Sequence, residues 1–435
     1  MNALAKELNE LIAKDNPAVL EMLSELGKNL FMPKGIVTQS AEAKEKAHKF
    51  NATIGIALEN GQPMYLQCVY DNLSKYAPKD IFPYAPSSGK PELRKRWKQK
   101  IFDENPTLSG KATSNPVVTN ALTHGLNVVG DMFLDKGDYV VLPDKFWGNY
   151  RLGFSVIGGA EIATYETFTE EGGFNVQALL DKVEECGRIK GKAVAILNFP
   201  NNPSGYTPTV AEATAIADGL TAIAEKGIKV IAVTDDAYFT LFYEDTIKES
   251  IFGLLTGRSK NLLPVKLDGA TKEEFVWGFR VGFITFGATE SSEQKDMMAA
   301  LEKKVTGLIR GTISNCPHPS QTFVLNSLDD ECFKEQKQQK FELMKERALK
   351  FKEVLNTGKY LEQFEYYPFN SGYFMCLKLK NVDAEELRVH LLDNYGIGTI
   401  SVNKTDLRIA FSCVEASDTE ELLDGIFAGC KDLAK

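Results

Sequence analysis

The chain has 435 residues, of which 43% are hydrophobic and 25% charged, and its formal net charge is −9. This length exceeds one ordinary hydrophobic core and predicts two domains. The negative charge argues against binding of a nucleic-acid backbone as the protein's main purpose.

The sequence also gives expectations about compartment and metals. Its first residues lack the basic start and unbroken apolar run of a signal peptide, and no segment reaches the ~18–20 apolar residues of a membrane helix. The seven cysteines form no C-x-x-C pair, and the four histidines lack metal-ligand spacing. We expect a cytoplasmic protein with reduced cysteines, no metal, and no membrane or nucleic-acid partner.

Strands and helices alternate through the first three quarters of the chain. A helix is predicted from Pro91, because proline suits the first turn of a helix. Apolar runs predict strands at 116–120, 138–143, 192–199, 228–234 and 279–286, and helical patterns predict helices at 123–134, 211–227 and 292–309. Such alternation is typical of a mostly parallel sheet with helices on both faces.

The pattern changes after about residue 310. A long charged helical run covers 329–355, and segments of strand composition follow at 371–379, 394–402 and 406–414. These features predict a smaller α+β domain.

Four polar segments lie at the predicted strand ends, where open α/β sheets bind ligands. They are NALTHG (120–125), FPNNPSG (199–205), DDAY (235–238) and GATKEEFVWGFR (269–280). Each has an ordinary interpretation when it is taken singly. Asn-Asn-Pro-Ser-Gly is typical of a turn, an Asp pair can cap a helix, and most lysines are solvated surface charges.

The order of these motifs is more specific. NNPSG, DDAY and a lysine eight residues before an arginine resemble the class I, fold-type I pyridoxal-phosphate aminotransferases, including the aspartate and aromatic aminotransferases. The resemblance extends over nearly the whole chain, through five further segments: NATIGIALENGQP (51–63), YAPSSGKPELR (84–94), LPDKFWGNY (142–150), LIRGTISNCP (308–317) and LRIAFS (407–412).

The resemblance implies an α/β fold in which a large domain contains a mostly parallel, seven-stranded type of sheet. We expect an N-terminal arm and part of the small domain at 1–59, the large cofactor domain at 60–310 and the small α+β domain at 311–435. It also implies a homodimer with shared active sites.

The resemblance assigns catalytic roles to residues of the cofactor ring site. Lys272 is expected to anchor pyridoxal 5′-phosphate covalently and to carry protons, and Asp235 to keep the ring nitrogen protonated. Asn202 and Tyr238 are expected to donate hydrogen bonds to the 3′ oxygen, and Trp147 to stack on the ring. The rival lysine, Lys266, lies fourteen residues before Arg280, which the family spacing disfavours.

For the phosphate, the resemblance implies backbone N–H groups of Ala121 and Leu122, the guanidinium of Arg280, the hydroxyl of Thr271, and Tyr84 from a second subunit. The chain departs from the family here. It has Gly-Ala-Thr-Lys at 269–272 where Ser-x-Ser-Lys is usual, Ala121 where glycine is common, and Leu122 where a hydroxyl is frequent. We expect a divergent subgroup that relies more on backbone groups, Arg280 and Tyr84.

For the substrate, the resemblance implies that Arg408 binds the α-carboxylate, with Gly55 and Asn202 beside it. Arg310 is expected to bind a second carboxylate across the subunit boundary, which favours aspartate and glutamate. The ordinary interpretation is that Arg310 interacts with the dipole at a helix end. Aromatic aminotransferases also keep this arginine, so aromatic amino acids remain the alternative substrates.

The sequence also bears on functions other than transamination. A lyase on the same fold stays open, because the cofactor carries the difficult chemistry. A DNA-binding regulator is disfavoured, since only about fifty residues precede NATIGIA. A nucleotide-binding oxidoreductase is excluded, since no G-x-G-x-x-G follows the first strand.

Overall fold

The computed structural model describes residues 1–32 and 35–434. The N-terminal segment contains four helices: α1 (Ala3–Asp15), α2 (Pro17–Met22), α3 (Glu25–Asn29) and α4 (Ile36–Lys46). Asn2 caps α1 by accepting a hydrogen bond from the backbone N of Leu4 at 2.9 Å. Short elements follow: β1 (Phe50–Asn51), β2 (Leu58–Glu59), β3 (Gln62–Pro63), α5 (Gln67–Asn72), α6 (Pro78–Ile81) and α7 (Pro91–Asp103).

A large sheet forms the centre of the next section of the chain. Within the described residues its seven strands are β4 (Val117–Thr119), β5 (Tyr139–Pro143), β6 (Glu161–Tyr165), β7 (Lys192–Asn198), β8 (Lys229–Asp235), β9 (Leu262–Gly269) and β10 (Gly282–Phe286). They lie in the order β4-β10-β9-β8-β7-β5-β6. Only β10 among them runs antiparallel to its neighbours. The predicted mostly parallel α/β sheet is therefore confirmed.

Helices cover both faces of this sheet. They are α8 (Ala121–Phe133), α9 (Val176–Lys190), α10 (Val210–Glu225), α11 (Ile251–Leu255), α12 (Ala270–Glu273) and α13 (Lys295–Thr312). Val140 packs in one core cluster with Leu126 of α8, whereas the next residue, Val141, packs in another with Leu179 of α9 and Leu220 of α10. Adjacent residues of a strand point to opposite faces, so each face has its own apolar core.

The remaining elements follow in chain order, and most of them build a smaller layer. They are α14 (His318–Leu328), α15 (Phe333–Leu355), β11 (Phe364–Tyr366), β12 (Phe374–Leu379), α16 (Ala384–Tyr395), β13 (Ile397–Gly398), β14 (Ile400–Ser401), β15 (Asp406–Ala410) and α17 (Thr419–Leu433). β11, β12, β15 and β14 form an antiparallel sheet in that order. The N-terminal segment joins this layer, because β1 pairs with β13 and Gln39 bonds to Ser401. The exact domain boundaries stay a prediction.

Three local differences from the sequence prediction have physical causes. The sequence does not predict β9, because Pro264 lies inside it and proline normally argues against an inner strand. The predicted strand at 279–286 begins only at Gly282, because Arg280 takes a left-handed conformation after a 3-10 turn. The edge strand β6 is largely solvent-facing and lacks an apolar run. Within residues 1–32 and 35–434, none of the helices has the length and apolar character needed to cross a membrane.

The turn after β7 fits tightly against the small domain at Gly205. Its φ is +76°, and a Cβ at this position would lie 1.9 Å from the carbonyl oxygen of Phe374 in β12. The carbonyl of Gly205 accepts backbone hydrogen bonds from Asn370 and Ser371 at 2.9 and 3.0 Å. Only glycine allows both the left-handed backbone and this close approach.

We predict that Gly205→Ala lowers the free energy of unfolding by about 2–4 kcal/mol, from left-handed strain plus the clash with β12. The matched control is Gly191→Ala, where φ is +73° but nothing lies within 4 Å of the added Cβ. In that variant the free energy of unfolding should fall by only about 1 kcal/mol, the cost of the left-handed strain. Denaturant unfolding measures both, and equal losses would contradict the account of the Gly205 contact.

Candidate active site

A cavity of about 250 Å³ lies at the carboxyl ends of β7 and β8, between the large sheet and β15. Its lining contains eleven of the thirteen residues that the sequence predicted for the site: Gly55, Ala121, Leu122, Trp147, Asn202, Asp235, Tyr238, Thr271, Lys272, Arg280 and Arg408. We refer to it as the central cavity. Because parallel strands end at the same sheet edge, residues distant in sequence meet here.

Lys272 reaches this cavity from α12, a single helical turn directly after β9. Its Nζ lies 5.1 Å from the centre of the Tyr238 ring. Loss of solvation among the surrounding groups lowers the pKa of Lys272 to about 8, Asp235 opposes this change, and Arg280 adds to it. A lysine with such a pKa has a substantial neutral fraction near pH 8 and can act as a nucleophile or base.

The rival Lys266 lies elsewhere. It is in the middle of β9, is fully buried, and forms ion pairs with Asp236 and, at 3.4 Å, with Asp268. It does not line the central cavity. Its position indicates a buried structural charge pair.

Asp235 ends β8 and is 2% exposed. Tyr150 donates a hydrogen bond to its Oδ2 at 2.6 Å, and the backbone N of Ala237 donates to its Oδ1 at 3.2 Å. Burial raises the pKa of Asp235, while Tyr150 and Lys272 oppose that rise. The carboxylate thus stays fixed and faces the same cavity as the amine of Lys272.

Tyr150 is a site residue that the sequence reasoning missed. It lies inside the LPDKFWGNY segment and lines the central cavity, and its ring meets that of Trp147 edge-on at 5.7 Å between centroids. Its place three residues after Trp147 could have indicated it, but a tyrosine has no spacing signature of its own. Thr123, Asn198, Ala237 and Phe374 also line the cavity without having been predicted.

Arg408 points into the cavity from β15 and is 1% exposed. It donates to Asn202 Oδ1 at 3.0 Å and to the carbonyl of Thr53 at 2.7 Å, and its guanidinium stacks 4.2 Å from the centre of the Phe374 ring. Its Nε has no hydrogen-bond partner, and Arg408 forms no ion pair with the residues the structure describes. Burial lowers the pKa of Arg408. Burying an arginine without a carboxylate is costly, which indicates a site for an anionic group.

The lining of the central cavity also includes groups that can bind an anion. α8 begins at Ala121, whose φ of +60° is unusual for alanine. This is the position where the family that the chain resembles commonly has glycine. The hydroxyl of Thr271 is buried and lacks a partner among the described residues. Arg280 donates to the carbonyl of Trp277 at 3.3 Å, and burial lowers its pKa. A helix start, a hydroxyl and a guanidinium together suit a phosphate.

Gly55 lines the central cavity beside Phe374 and Tyr238. A Cβ at this position would lie 3.5 Å from the ring of Phe374 and 3.8 Å from the hydroxyl of Tyr238. A larger side chain would therefore narrow the cavity beside Arg408.

Tyr84 and Arg310 do not line the central cavity of their own chain. Tyr84 is 89% exposed. Arg310 is exposed in the last turn of α13 and donates to Ser314 Oγ at 2.7 Å. These positions suit the predicted roles across a subunit boundary, which stay predictions, and the position of Arg310 also suits the helix-end interpretation. No group of three or more potential metal ligands occurs in the described part of the chain.

The curated relatives are similar over part of their length. A protein of Aquifex aeolicus (strain VF5) named "Probable aspartate/prephenate aminotransferase" is 30% identical over 203 residues, which are 46% of this chain and 48% of that protein. The aspartate aminotransferase of Bacillus subtilis (strain 168) is 26% identical over 255 residues, 58% of this chain and 60% of that enzyme. The chain thus spans about half to three fifths of the length of these relatives.

The solved structures are similar over almost the whole chain. An aminotransferase of Anaerococcus prevotii DSM 20548 superposes with a TM-score of 0.81 at 23% identity, covering 94% of this chain and 98% of that one, which shows the same fold. A family model described as aminotransferase class I and II matches residues 48–426. The chain therefore belongs to the aminotransferase class I and II family.

Proposed function

We propose that the protein is a pyridoxal-phosphate-dependent aminotransferase that moves an amino group between an amino acid and a 2-oxo acid, with aspartate and glutamate as favoured donors and 2-oxoglutarate as acceptor. The observation that carries the proposal is the buried Arg408 guanidinium, which lines the same cavity as Lys272 and Asp235 and forms no ion pair with a carboxylate among the residues that the structure describes. An α-carboxylate bound there would place the substrate amine next to Lys272.

The residues of the central cavity suit pyridoxal phosphate. The buried, unpartnered hydroxyl of Thr271, the guanidinium of Arg280 and the start of α8 supply donors for its phosphate. Asp235 supplies a buried carboxylate for the protonated ring nitrogen, and Trp147 supplies an aromatic face. When bound, the cofactor supplies an aldehyde for amine condensation and a ring that withdraws electrons from the substrate Cα.

The polar groups of the chain divide the remaining tasks. Lys272 accepts and returns the proton at the substrate Cα, because its lowered pKa gives a neutral fraction near neutral pH. Asn202 uses its Oδ1 to hold Arg408, so its amide nitrogen is the group left to donate into the cavity. Burial raises the pKa of Tyr238, which keeps its hydroxyl protonated as a donor.

A homodimer completes the proposed site. Tyr65, Tyr70, Phe82 and Tyr84 are aromatic side chains between 48% and 89% exposed, close together in sequence. Exposed aromatic clusters mark protein interfaces. We infer that this surface packs against a second copy, so that Tyr84 and Arg310 reach the partner's cavity, with Arg310 binding the distal carboxylate of aspartate or glutamate.

Aromatic amino acids are the second candidate donors. A further cavity of about 510 Å³ shares Trp147 and Asn202 with the central cavity. Its lining is mainly apolar and includes Leu4 and Phe31 of the N-terminal segment. The N-terminal segment thus lies beside the central cavity of its own chain. The further cavity offers room for a large apolar side chain.

The spectrum of the purified protein tests the function. We expect a band near the visible edge that disappears on addition of aspartate and returns with 2-oxoglutarate, because the two half-reactions change the state of the bound cofactor. A Lys272→Ala variant should lack the covalent band. An unchanged band in that variant would reject the anchor, and consumption of the amino acid without use of 2-oxoglutarate would favour a lyase.

Replacing Arg310 tests the substrate class. Arg310→Met should lower kcat/KM for aspartate and glutamate by about 10–100-fold, the value of a charge-assisted contact, and change the value for phenylalanine by less than about threefold. Lys304→Met, an exposed lysine of the same helix, is the matched control. Equal losses for acidic and aromatic substrates would remove the specificity argument.

Replacing Tyr150 tests the environment of Asp235. Tyr150→Phe removes a donor that opposes the rise in the pKa of Asp235, so this pKa should rise further. The carboxylate would then be lost at higher pH, and the acid limb of the kcat profile should move upward, with kcat falling about tenfold. Tyr139→Phe, at the start of β5, is the control. An acid limb that does not move would contradict a role of Tyr150 in holding the carboxylate.

A further inference from the structure

The single helical turn that carries Lys272 is tied to a buried group of charges outside the central cavity. Glu273 and Glu274 follow Lys272 directly, and their side chains are 0% and 3% exposed. Lys100 of α7 donates to Glu273 Oε2 and to Glu104 Oε2, both at 2.6 Å. Lys337 of α15 donates to Glu274 at 3.2 Å.

Helix α12 depends on such contacts for its position. It has four residues, and one turn of helix has no stability of its own. Phe275, just after it, has a φ of +55°, a conformation that only the surroundings can maintain. Apart from backbone bonds, α12 is held near Lys272 by the hydroxyl of Tyr373, which donates to the carbonyl of Lys272 at 3.3 Å, and by the two glutamates.

The group contains more carboxylates than ammonium ions. Lys100 and Lys337 face Glu104, Glu273 and Glu274, and the adjoining Lys266 faces Asp236 and Asp268. Burial raises the pKa of Glu273 to about 8 against the opposing effect of Lys100 and Lys337, and burial also raises the pKa of Asp268. One oxygen of each of these two carboxyl groups lacks a partner among the described residues. Both carboxyl groups therefore bind a proton more readily than an exposed glutamate or aspartate does, and Glu273 Oε2 accepts the hydrogen bond from Lys100.

We propose that Lys100 is a positioning residue for Lys272: its ammonium group, held between Glu104 and Glu273, fixes the helical turn from which Lys272 reaches the cavity. The inference rests on the proposed function, because it takes Lys272 as the cofactor anchor. Lys100 does not line the central cavity, so it acts through Glu273. A displacement of about 1 Å at a reacting group can cost about 100-fold in rate, so a small movement of α12 is enough to matter.

The test measures how fast cofactor-free enzyme captures pyridoxal phosphate covalently, by stopped-flow absorbance, together with kcat, KM and the melting temperature. Lys100→Met removes the ammonium group and leaves a side chain of similar length. Lys98→Met is the matched control on the same helix, because Lys98 donates only to the carbonyl of Thr113 at 3.0 Å.

We expect Lys100→Met to slow capture and lower kcat by more than about tenfold with KM changed less than about threefold, and Lys100→Arg to restore much of both. Lys98→Met should stay within about threefold of the unsubstituted enzyme. A folded Lys100→Met protein that captures the cofactor at the normal rate, with only a lower melting temperature, would show a purely structural ion pair and overturn the proposal.

Two further variants keep the outcome decisive. If Lys100→Met does not fold, Lys337→Met serves instead, because its partner Glu274 adjoins the same turn and its side chain is 19% exposed. Several-fold slower capture supports the proposal, and an unchanged rate overturns it. Lys272→Ala distinguishes a failure of the proposed function from a failure of the role proposed for Lys100. If it captures the cofactor as fast as the unsubstituted enzyme, the proposed function fails, whereas normal capture by Lys100→Met alone rejects only the role of Lys100.

Discussion

The Arg408 guanidinium is buried at the junction of the two layers, and no carboxylate in the described part of the chain forms an ion pair with it, so its burial is costly. The structure compensates in part. The carbonyl of Thr53 and the amide oxygen of Asn202 accept its hydrogen bonds, and the ring of Phe374 lies against it. These contacts come from the N-terminal segment, the large domain and the small domain. A substrate carboxylate would neutralise the positive charge of Arg408. It would also bind at the point where the N-terminal segment, the large domain and the small domain meet.

Asp235 and Lys272, the carboxylate and the amine of the central cavity, differ in how firmly they are held. Asp235 is held by Tyr150 on one side and by a backbone N–H on the other, so its burial does not leave it free to move. The amine of Lys272 forms no hydrogen bond with the described residues. Its position depends on α12 and on the charged groups around Glu273 and Glu274. A fixed carboxylate and an adjustable amine match the tasks proposed for them, since one holds a charge and the other moves a proton.

Most of the residues predicted for the site line one cavity because they lie in polar segments at strand ends. FPNNPSG, DDAY and the spacing from Lys272 to Arg280 each mark a loop at the sheet edge, and the parallel topology that the apolar runs predict brings those loops together. Tyr150 and Lys100 escaped notice for the opposite reason. Their roles arise from partners distant in sequence, Asp235 and Glu273, and neither a tyrosine nor a helical lysine has a spacing signature that indicates such a partner. Strand β9 was missed because Pro264 opposes the pattern that identifies a strand, and tertiary pairing outweighed that preference.

The central claim is that Lys272, and no other lysine, bonds covalently to the cofactor. Incubating the protein with pyridoxal phosphate, reducing the product with borohydride and mapping the digest by mass spectrometry tests this most directly. We expect one modified peptide, carrying the cofactor mass on Lys272. Modification of Lys266, or labelling spread over exposed lysines with none on Lys272, would contradict it.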